Sequence, residues 1–323
     1  ENAKGFNTEM GSFAVPTEQT LRKFIAPEDQ WPINDVWAYH DLHHTSQNFE
    51  GFMAAVNRYG EPNSLEQFAR QAQPVCYDSW RNKLEAWNSH IWDNTTGLIL
   101  WMSHPAWPSM IWQTYTYDYE TPGSFFGSKK ACEPLHIQMN LPDNDVMIIN
   151  TTRQAHKGMQ VLVSCFDLNG KELSKKQARF DVPANASTPC QIIVSSEKSP
   201  EAFLARLELK DRKGKVVSVN DYWMVATDAG YKQLAQQAAP KLKITTKQMK
   251  SGKVQIEVKN NSTQIAAGIK LNALDKASGE QILPAYFSDG YFNLLPNEKR
   301  TIELEVNPTY LNKVDISWSA FNK

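Results

Sequence analysis

The sequence predicts a multidomain chain in which the closing βα units of an incomplete (β/α)8 TIM barrel are followed by two β-sandwiches. Three observations predict it. The 323 residues, 41% hydrophobic and 11% aromatic, can bury two or three separate cores, because domains usually hold about 100 to 150 residues. Apolar residues recur at helical spacing before about Leu135 and at every second position after it. The period-two pattern stops in a polar, Gln/Ala-rich passage from Thr227 to Pro240 and then restarts. The expected domains are therefore residues 1–134, 135–227 and 228–323.

The first segment opens with a short strand at Gly5 to Glu9, a helix from about Thr17 to Ile25, and a loop rich in Trp, His and Asp. A long helix comes next. Ser64 and Gln67 have capping-box spacing, and Leu65, Phe68, Ala69, Ala72, Val75, Trp80, Leu84, Trp87 and Ile91 recur at helical intervals, with Pro74 inside. A second strand is expected at Leu98 to Met102. Such a strand–helix series is too short for a closed barrel, which takes about 250 residues. Two parallel strands alone also leave edge donors and acceptors unpaired. Earlier barrel strands are therefore expected to lie outside this sequence.

The second segment alternates as a half-buried sheet does: Phe203, Ala205, Leu207 and Leu209 interleave with Arg206, Glu208 and Lys210. Asn169-Gly170 and Lys213-Gly214 supply turns. The third segment repeats the pattern through Val254, Ile256 and Val258, then Ile302, Leu304 and Val306, then Val314, Ile316 and Trp318. Two sandwiches in tandem follow.

Composition excludes several function classes. Thirty-four basic against thirty-five acidic side chains give a net charge of -1, and no Lys/Arg cluster offers a track for phosphates, so no nucleic-acid partner is expected. Apolar stretches such as Gly97 to Met102 and Val146 to Ile149 fall far short of the roughly 20 residues that cross a bilayer, so no membrane partner is expected. Cys76, Cys132, Cys165 and Cys190 lack CxxC spacing and read as buried thiols rather than a zinc knuckle or disulfide framework. The N-x-S/T triplets at Asn94, Asn150, Asn185 and Asn261 are short enough to arise by chance. The opening at Glu1, without a signal-peptide pattern, is expected of a processed protein or an excised piece.

The chemistry concentrates before residue 134, where His40, His43, His44, His90 and His104 and a run of tryptophans from Trp31 to Trp112 lie. Glu9 closes the first strand just before Gly11, and barrel enzymes carry catalytic side chains at that strand end. Read by itself, Glu9 is first a surface carboxylate beside a turn. The run Trp37-Ala38-Tyr39-His40-Asp41-Leu42-His43-His44 holds metal-ligand residue types, but its spacing matches no zinc signature, and no metal site is expected.

Two blocks of sequence resemble one enzyme family. Phe6-Asn7-Thr8-Glu9-Met10-Gly11, followed by Val15-Pro16-Thr17 and Leu21-Arg22-Lys23-Phe24, resembles the nucleophile strand and following helix of glycoside hydrolase family 2. Glu85-Ala86-Trp87-Asn88, Gly97-Leu98-Ile99-Leu100-Trp101-Met102, Ala106-Trp107-Pro108-Ser109 and Phe126-Gly127-Ser128-Lys129-Lys130-Ala131-Cys132-Glu133-Pro134-Leu135-His136 resemble the last barrel strand region of its exo-β-glucosaminidase and β-mannosidase branch. The tail, with Tyr286-Phe287-Ser288-Asp289-Gly290-Tyr291-Phe292 before Leu295-Pro296, resembles that branch's two immunoglobulin-like domains.

The resemblance implies a retaining exo-β-glycosidase acting on oligosaccharides with terminal β-linked sugars such as glucosamine or mannose, without a cofactor. Glu9 would attack the anomeric carbon while a second carboxyl, about 5 to 5.5 Å away, protonates the leaving oxygen. In this family that acid/base lies on an earlier strand, in an N-terminal part not found here, so the chain by itself is expected to be inactive. Trp101 would form the apolar floor under the sugar ring, as a flat indole with one N–H suits; filling the barrel core is the other reading. His40 is placed near sugar, and Trp107 is a weaker candidate whose first reading is a core or domain contact, as is that of Trp112. Members of the glucosaminidase kind carry asparagines where Ser103-His104-Pro105 stands here, so His104 changes the donor set at the rim and with it the sugar preference. The family implies a periplasmic or secreted enzyme. A different class remains open: a non-catalytic carbohydrate-binding or adhesion module with tandem immunoglobulin-like domains.

Overall fold

The computed structural model describes residues 4–141, 143–195 and 200–322; residues 1–3 and 323, the outer ends of the first and third expected domains, lie outside the described residues. In chain order the first elements are β1 (Gly5–Met10), α1 (Glu18–Leu21), α2 (Asp35–Tyr39), α3 (Gln47–Asn57), α4 (Leu65–Ser89), β2 (Thr95–Leu100) and α5 (Gly123–Ala131). β1 and β2 pair in parallel as a two-stranded sheet. Seven strands follow: β3 (Leu135–Met139), β4 (Asp145–Asn150), β5 (His156–Phe166), β6 (Glu172–Val182), β7 (Ala186–Ile193), β8 (Ala202–Lys210) and β9 (Val216–Val225). After α6 (Asp228–Ala235) come β10 (Leu242–Gln248), β11 (Val254–Asn260), β12 (Ala266–Asp275), β13 (Ala285–Phe287), β14 (Phe292–Leu294), β15 (Lys299–Val306) and β16 (Val314–Ser319).

The chain divides into two compact units. One comprises Glu1–Gly11, Asp78–Trp101 and Gly127–Gly230; the other comprises Ser12–Tyr77, Met102–Phe126 and Tyr231–Lys323.

In the first unit, sheets β3-β4-β7 and β6-β5-β8-β9 are antiparallel and enclose Ile137, Ile148, Val161, Val163, Leu207, Leu209 and Tyr222. Three strands against four is the immunoglobulin-like sandwich arrangement. The turn glycines Gly170 (φ 77°) and Gly214 (φ 86°) sit in the left-handed region that a side chain disfavours.

In the second unit, β10-β11-β15-β13 faces β14-β12-β16 across Val254, Ile256, Val258, Ile269, Leu271, Ile302 and Leu304. Val254, Ile256 and Val258 are buried while Gln255 and Glu257 between them, and Lys259 after them, are not, as period-two alternation requires. Phe126 joins this core from the start of α5. A separate helical core in the same unit gathers Val15, Leu21, Trp37, Phe49, Phe52, Val56, Phe68 and Met110.

Several expected elements change. The helix expected over Thr17 to Ile25 contracts to α1, capped by Thr17. The loop rich in Trp, His and Asp contains two helices, because Asn34 caps α2, Ser46 caps α3, and Phe49, Phe52 and Val56 give α3 one buried stripe. The second strand starts earlier, at Thr95, and ends at Leu100. The polar passage from Thr227 contains α6. α4 begins as its cap spacing predicts: Gln67 N–H donates to Ser64 Oγ (3.2 Å), while Gln67 Oε1 accepts from Asn63 N–H (3.0 Å), one residue before the cap. Cys76, Cys165 and Cys190 are buried, but Cys132 is exposed, which corrects its reading as a buried thiol. Burial pushes the Cys76 thiol up to about 12 against the smaller opposing hydrogen bond from Val15 N–H.

Candidate active site

Glu9 lies in the first unit near the end of β1 and is exposed. The strand register explains its setting. Asn7 pairs with Leu98 and Met10 with Leu100, so β1 spends one more residue than β2 between those pairs, and the extra residue falls at Thr8 or Glu9. Such bulges re-aim side chains and occur next to active sites. Asn7 Oδ1 accepts the Glu9 N–H at 3.0 Å, closing the bulge locally. Beyond the strand ends the ladder continues by one rung: Trp101 N–H donates to Met10 O at 2.8 Å. Trp101, directly after β2, is 47% exposed. The structure therefore brings the Glu9 and Trp101 backbones to the same end of one parallel pair and leaves both side chains accessible. Gly97 keeps this pair close, since a Cβ there would meet the Phe6 ring at 3.0 Å.

The same unit holds a buried polar cluster that sequence reasoning missed. Glu85 on α4, Glu133 before β3, His136 on β3, and Asn220 and Tyr222 on β9 converge. His136 Nε2 lies 3.0 Å from Glu85 Oε1 and its Nδ1 3.1 Å from Glu133 Oε2. Asn220 Nδ2 and the Tyr222 hydroxyl each donate to Glu85 at 2.7 Å. Ser218 Oγ donates to Glu133 at 2.6 Å. Burial opposes charge on His136, but its hydrogen bonds to Glu133 and Glu85 and their charges outweigh it and raise its pKa. Burial likewise pushes Glu133 up, yet the His136 hydrogen bond, Lys130 and the His136 charge bring it down to about 2. Arg81 adds Nη1 contacts to Asn220 Oδ1 (3.0 Å) and stacks over the Tyr222 ring (4.0 Å). The only signal in the sequence was that Glu85, Glu133 and His136 all fall in the blocks that resemble the enzyme family. The cluster can carry a charge-assisted clamp between helix and sandwich.

The other expected contact residues lie in the second unit. His40 ends α2, and its Nδ1 is 2.5 Å from Pro108 O. Trp107 stacks on the His40 ring at 5.4 Å and 29°, so these two, expected separately, are brought together. His104 does not join them. Its Nε2 is 3.3 Å from Tyr117 O, and its ring stacks on Tyr119 at 4.5 Å and 17°. Tyr39, Tyr117 and Tyr119 were missed, although Tyr115, Tyr117 and Tyr119 alternate in the sequence. Trp112 is half-buried, and its carbonyl accepts from Met102 N–H at 3.1 Å. Ile111, bridged to Ala14, holds φ 109°, a costly conformation for a β-branched residue. His44 Nε2 reaches Asp35 at 3.6 Å. Among the described residues no group of three or more His, Cys, Asp or Glu side chains is placed to hold a metal ion.

Comparison with known proteins covers nearly the whole chain. Residues 143–227 match the family described as mannosidase Ig/CBM-like domain, and residues 220–323 match the exo-beta-D-glucosaminidase Ig-fold domain. An exo-beta-D-glucosaminidase of Arthroderma benhamiae is 30% identical over 99% of this chain and 39% of its own length. A mannosylglycoprotein endo-beta-mannosidase of Lilium longiflorum is 25% identical over 93% of this chain and 40% of its own. The crystal structure of the Amycolatopsis orientalis exo-chitosanase CsxA superposes with a TM-score of 0.85 at 25% identity, over 99% of this chain and 42% of that one. The chain thus spans about two fifths of the length of the relatives it matches. It is a relative of the C-terminal part of glycoside hydrolase family 2 enzymes, in the branch of the exo-β-D-glucosaminidases and β-mannosidases, and carries their immunoglobulin-like domains.

Proposed function

We propose that this chain is the C-terminal part of a retaining exo-β-glycosidase that removes terminal β-linked glucosamine or mannose from oligosaccharides, with Glu9 as nucleophile. The observation that carries the reading is the exposed Glu9 in the β1 bulge, one rung from the accessible indole of Trp101. Residues 1–134 are read as the closing βα units of a TIM barrel. The exposed Phe6 and Ile99 side chains on β1 and β2 support this, since large apolar groups beside unpaired strand edges suit further strands. Residues 135–227 and 228–323 are read as the two immunoglobulin-like domains.

In the first step the Glu9 carboxylate attacks the anomeric carbon as the glycosidic bond breaks, and the acid/base of the N-terminal part protonates the departing oxygen. In the second step that same group takes a proton from water, the water oxygen displaces Glu9, and the sugar leaves with its β configuration kept. Trp101 offers its ring to the apolar face of the sugar. The relatives' names favour glucosamine or mannose; His104, where members of the glucosaminidase kind carry asparagine, favours testing both. A periplasmic or secreted location fits an enzyme of oligosaccharides.

The test uses the full-length polypeptide on a panel of aryl β-glycosides. Glu9→Gln is expected to lower kcat by roughly a thousandfold or more, about 4 kcal/mol of barrier, with unfolding unchanged because the side chain is exposed. A variant that keeps the parental rate sinks the assignment.

A further inference from the structure

Glu9 is held by more than the strand that carries it. On the near side of the bulge its own N–H is taken by Asn7 Oδ1 at 3.0 Å. On the far side the chain leaves β1 through Met10 and Gly11, where the register with β2 ends. Two donors fasten that exit: Trp101 N–H to Met10 O at 2.8 Å, and Lys83 Nζ to Gly11 O at 2.6 Å. The second comes from α4 rather than from the sheet. A cation that donates to an oxygen makes a shorter and stronger bond than two neutral groups do.

Lys83 as a residue is exposed, and an exposed lysine ordinarily keeps its head in water. This one turns its head onto a main-chain oxygen. Desolvation of the ammonium lowers its pKa, and among the described residues no carboxylate opposes that shift. The helix that aims Lys83 is itself fixed within the same unit. Glu85, on the same helix, is held by His136, Asn220 and Tyr222. Asn88 Nδ2 donates to Ala131 O at 2.8 Å, and Trp87 O accepts from Thr95 Oγ1, at the start of β2, at 2.8 Å. The base of the Lys83 side chain is thus anchored to β2, the strand against which β1 bulges.

We infer that Lys83 is a positioning residue for Glu9: its ammonium, bonded to Gly11 O, pins the far side of the bulge and so sets where the nucleophilic carboxylate stands. The inference rests on the glycosidase reading, in which Glu9 attacks the anomeric carbon. A bulged residue lacks the ladder bonds that fix its neighbours, so fasteners on both sides supply the missing constraint. The demand is strict, because a reacting group must be held within about 0.5 Å of its productive position, and a misplacement of about 1 Å can cost a hundredfold in rate.

The experiment compares the full-length enzyme with Lys83→Met on an aryl β-glycoside, and repeats the substitution in a Glu9→Ala background in which sodium azide takes the place of the carboxylate. Methionine keeps most of the apolar stem and removes the donor. The kcat is expected to fall about tenfold with KM little changed, since placement of the nucleophile matters in the transition state rather than in substrate binding. Azide needs no positioned Glu9, so the azide-supported rate of Glu9→Ala should be the same with lysine or methionine at position 83. A parental kcat in Lys83→Met overturns this inference alone. An equal loss in the azide reaction also overturns it, because Lys83 would then act on the fold at large. A parent enzyme inert on every aryl β-glycoside, or a Glu9→Ala variant that keeps the parental rate, overturns the nucleophile reading and this inference with it.

Discussion

Replacing His136 by alanine tests the buried clamp most sharply. Glu85 is 3% exposed and, at a pH below 6.5 where the raised His136 is protonated, loses the cation that sits 3.0 Å from its Oε1. Stranding one member of a buried ion pair costs about 3–5 kcal/mol. The Asn220 and Tyr222 hydrogen bonds at 2.7 Å survive and keep the carboxylate partly satisfied, which sets the expectation at the low end, about 3 kcal/mol. The loss is local, so the assay is amide hydrogen exchange in the full-length protein, read at Ile137, bonded to Ser218 Oγ, and Met139, bonded to the Tyr222 hydroxyl. Protection there is expected to fall about a hundredfold, the equivalent of that energy. Adding Glu85→Gln to His136→Ala removes the stranded charge and should recover most of the loss. Protection that changes less than about threefold at both amides refutes the reasoning, because a fully buried partner of a buried carboxylate cannot be that cheap to remove.

The same clamp sets a pH dependence. Glu133 falls from 4.5 to about 2 on folding, so its stabilisation is present above 4.5 and lost as pH falls through about 2; His136 is raised above 6.5, so its stabilisation is complete below 6.5 and lost as pH rises through its folded value. Unfolding temperature is therefore expected to plateau between about 4.5 and 6.5 and fall on both sides, with the acid limb worth about 3 kcal/mol; in His136→Ala both limbs should flatten, and identical profiles contradict the account. In the second unit, Lys270 Nζ lies 2.8 Å from Glu120 Oε1 and 2.5 Å from Asn272 Oδ1, with both ion-pair partners buried. Lys270→Ala is expected to cost about 3 kcal/mol in amide exchange along β12, while Lys270→Met with Glu120→Leu should cost far less; equal losses would show that the pair is not what matters.

The sandwiches were legible because one physical signal repeats in them: Val254, Ile256 and Val258 pair across the sheet with Leu304, Ile302 and Arg300, and the alternation that buries one face is visible in a single strand. α4 was legible through Ser64 and its long apolar stripe. α3 was not, because its flanking His and Trp residues draw attention from the Phe49, Phe52 and Val56 stripe that defines it. The site divides in the same way. Glu9 could be found as a strand-end carboxylate, but the bulge that presents it depends on register with β2, which no local pattern encodes. His136 is 51 positions from Glu85 and 84 from Asn220, and His40 meets Trp107 only through the fold, so chain separation hid both clusters even where single members were flagged.

Glu9→Ala in the full-length enzyme, assayed with and without sodium azide on an aryl β-glycoside, measures the nucleophile's role at the reacting carbon. Removal of the carboxylate should abolish hydrolysis, and azide should restore release of the aryl alcohol while bonding to the anomeric carbon from the vacated face, giving the α-configured glycosyl azide. A variant that still hydrolyses the glycoside at the parental rate, or one whose azide product is β-configured, contradicts the assignment of Glu9.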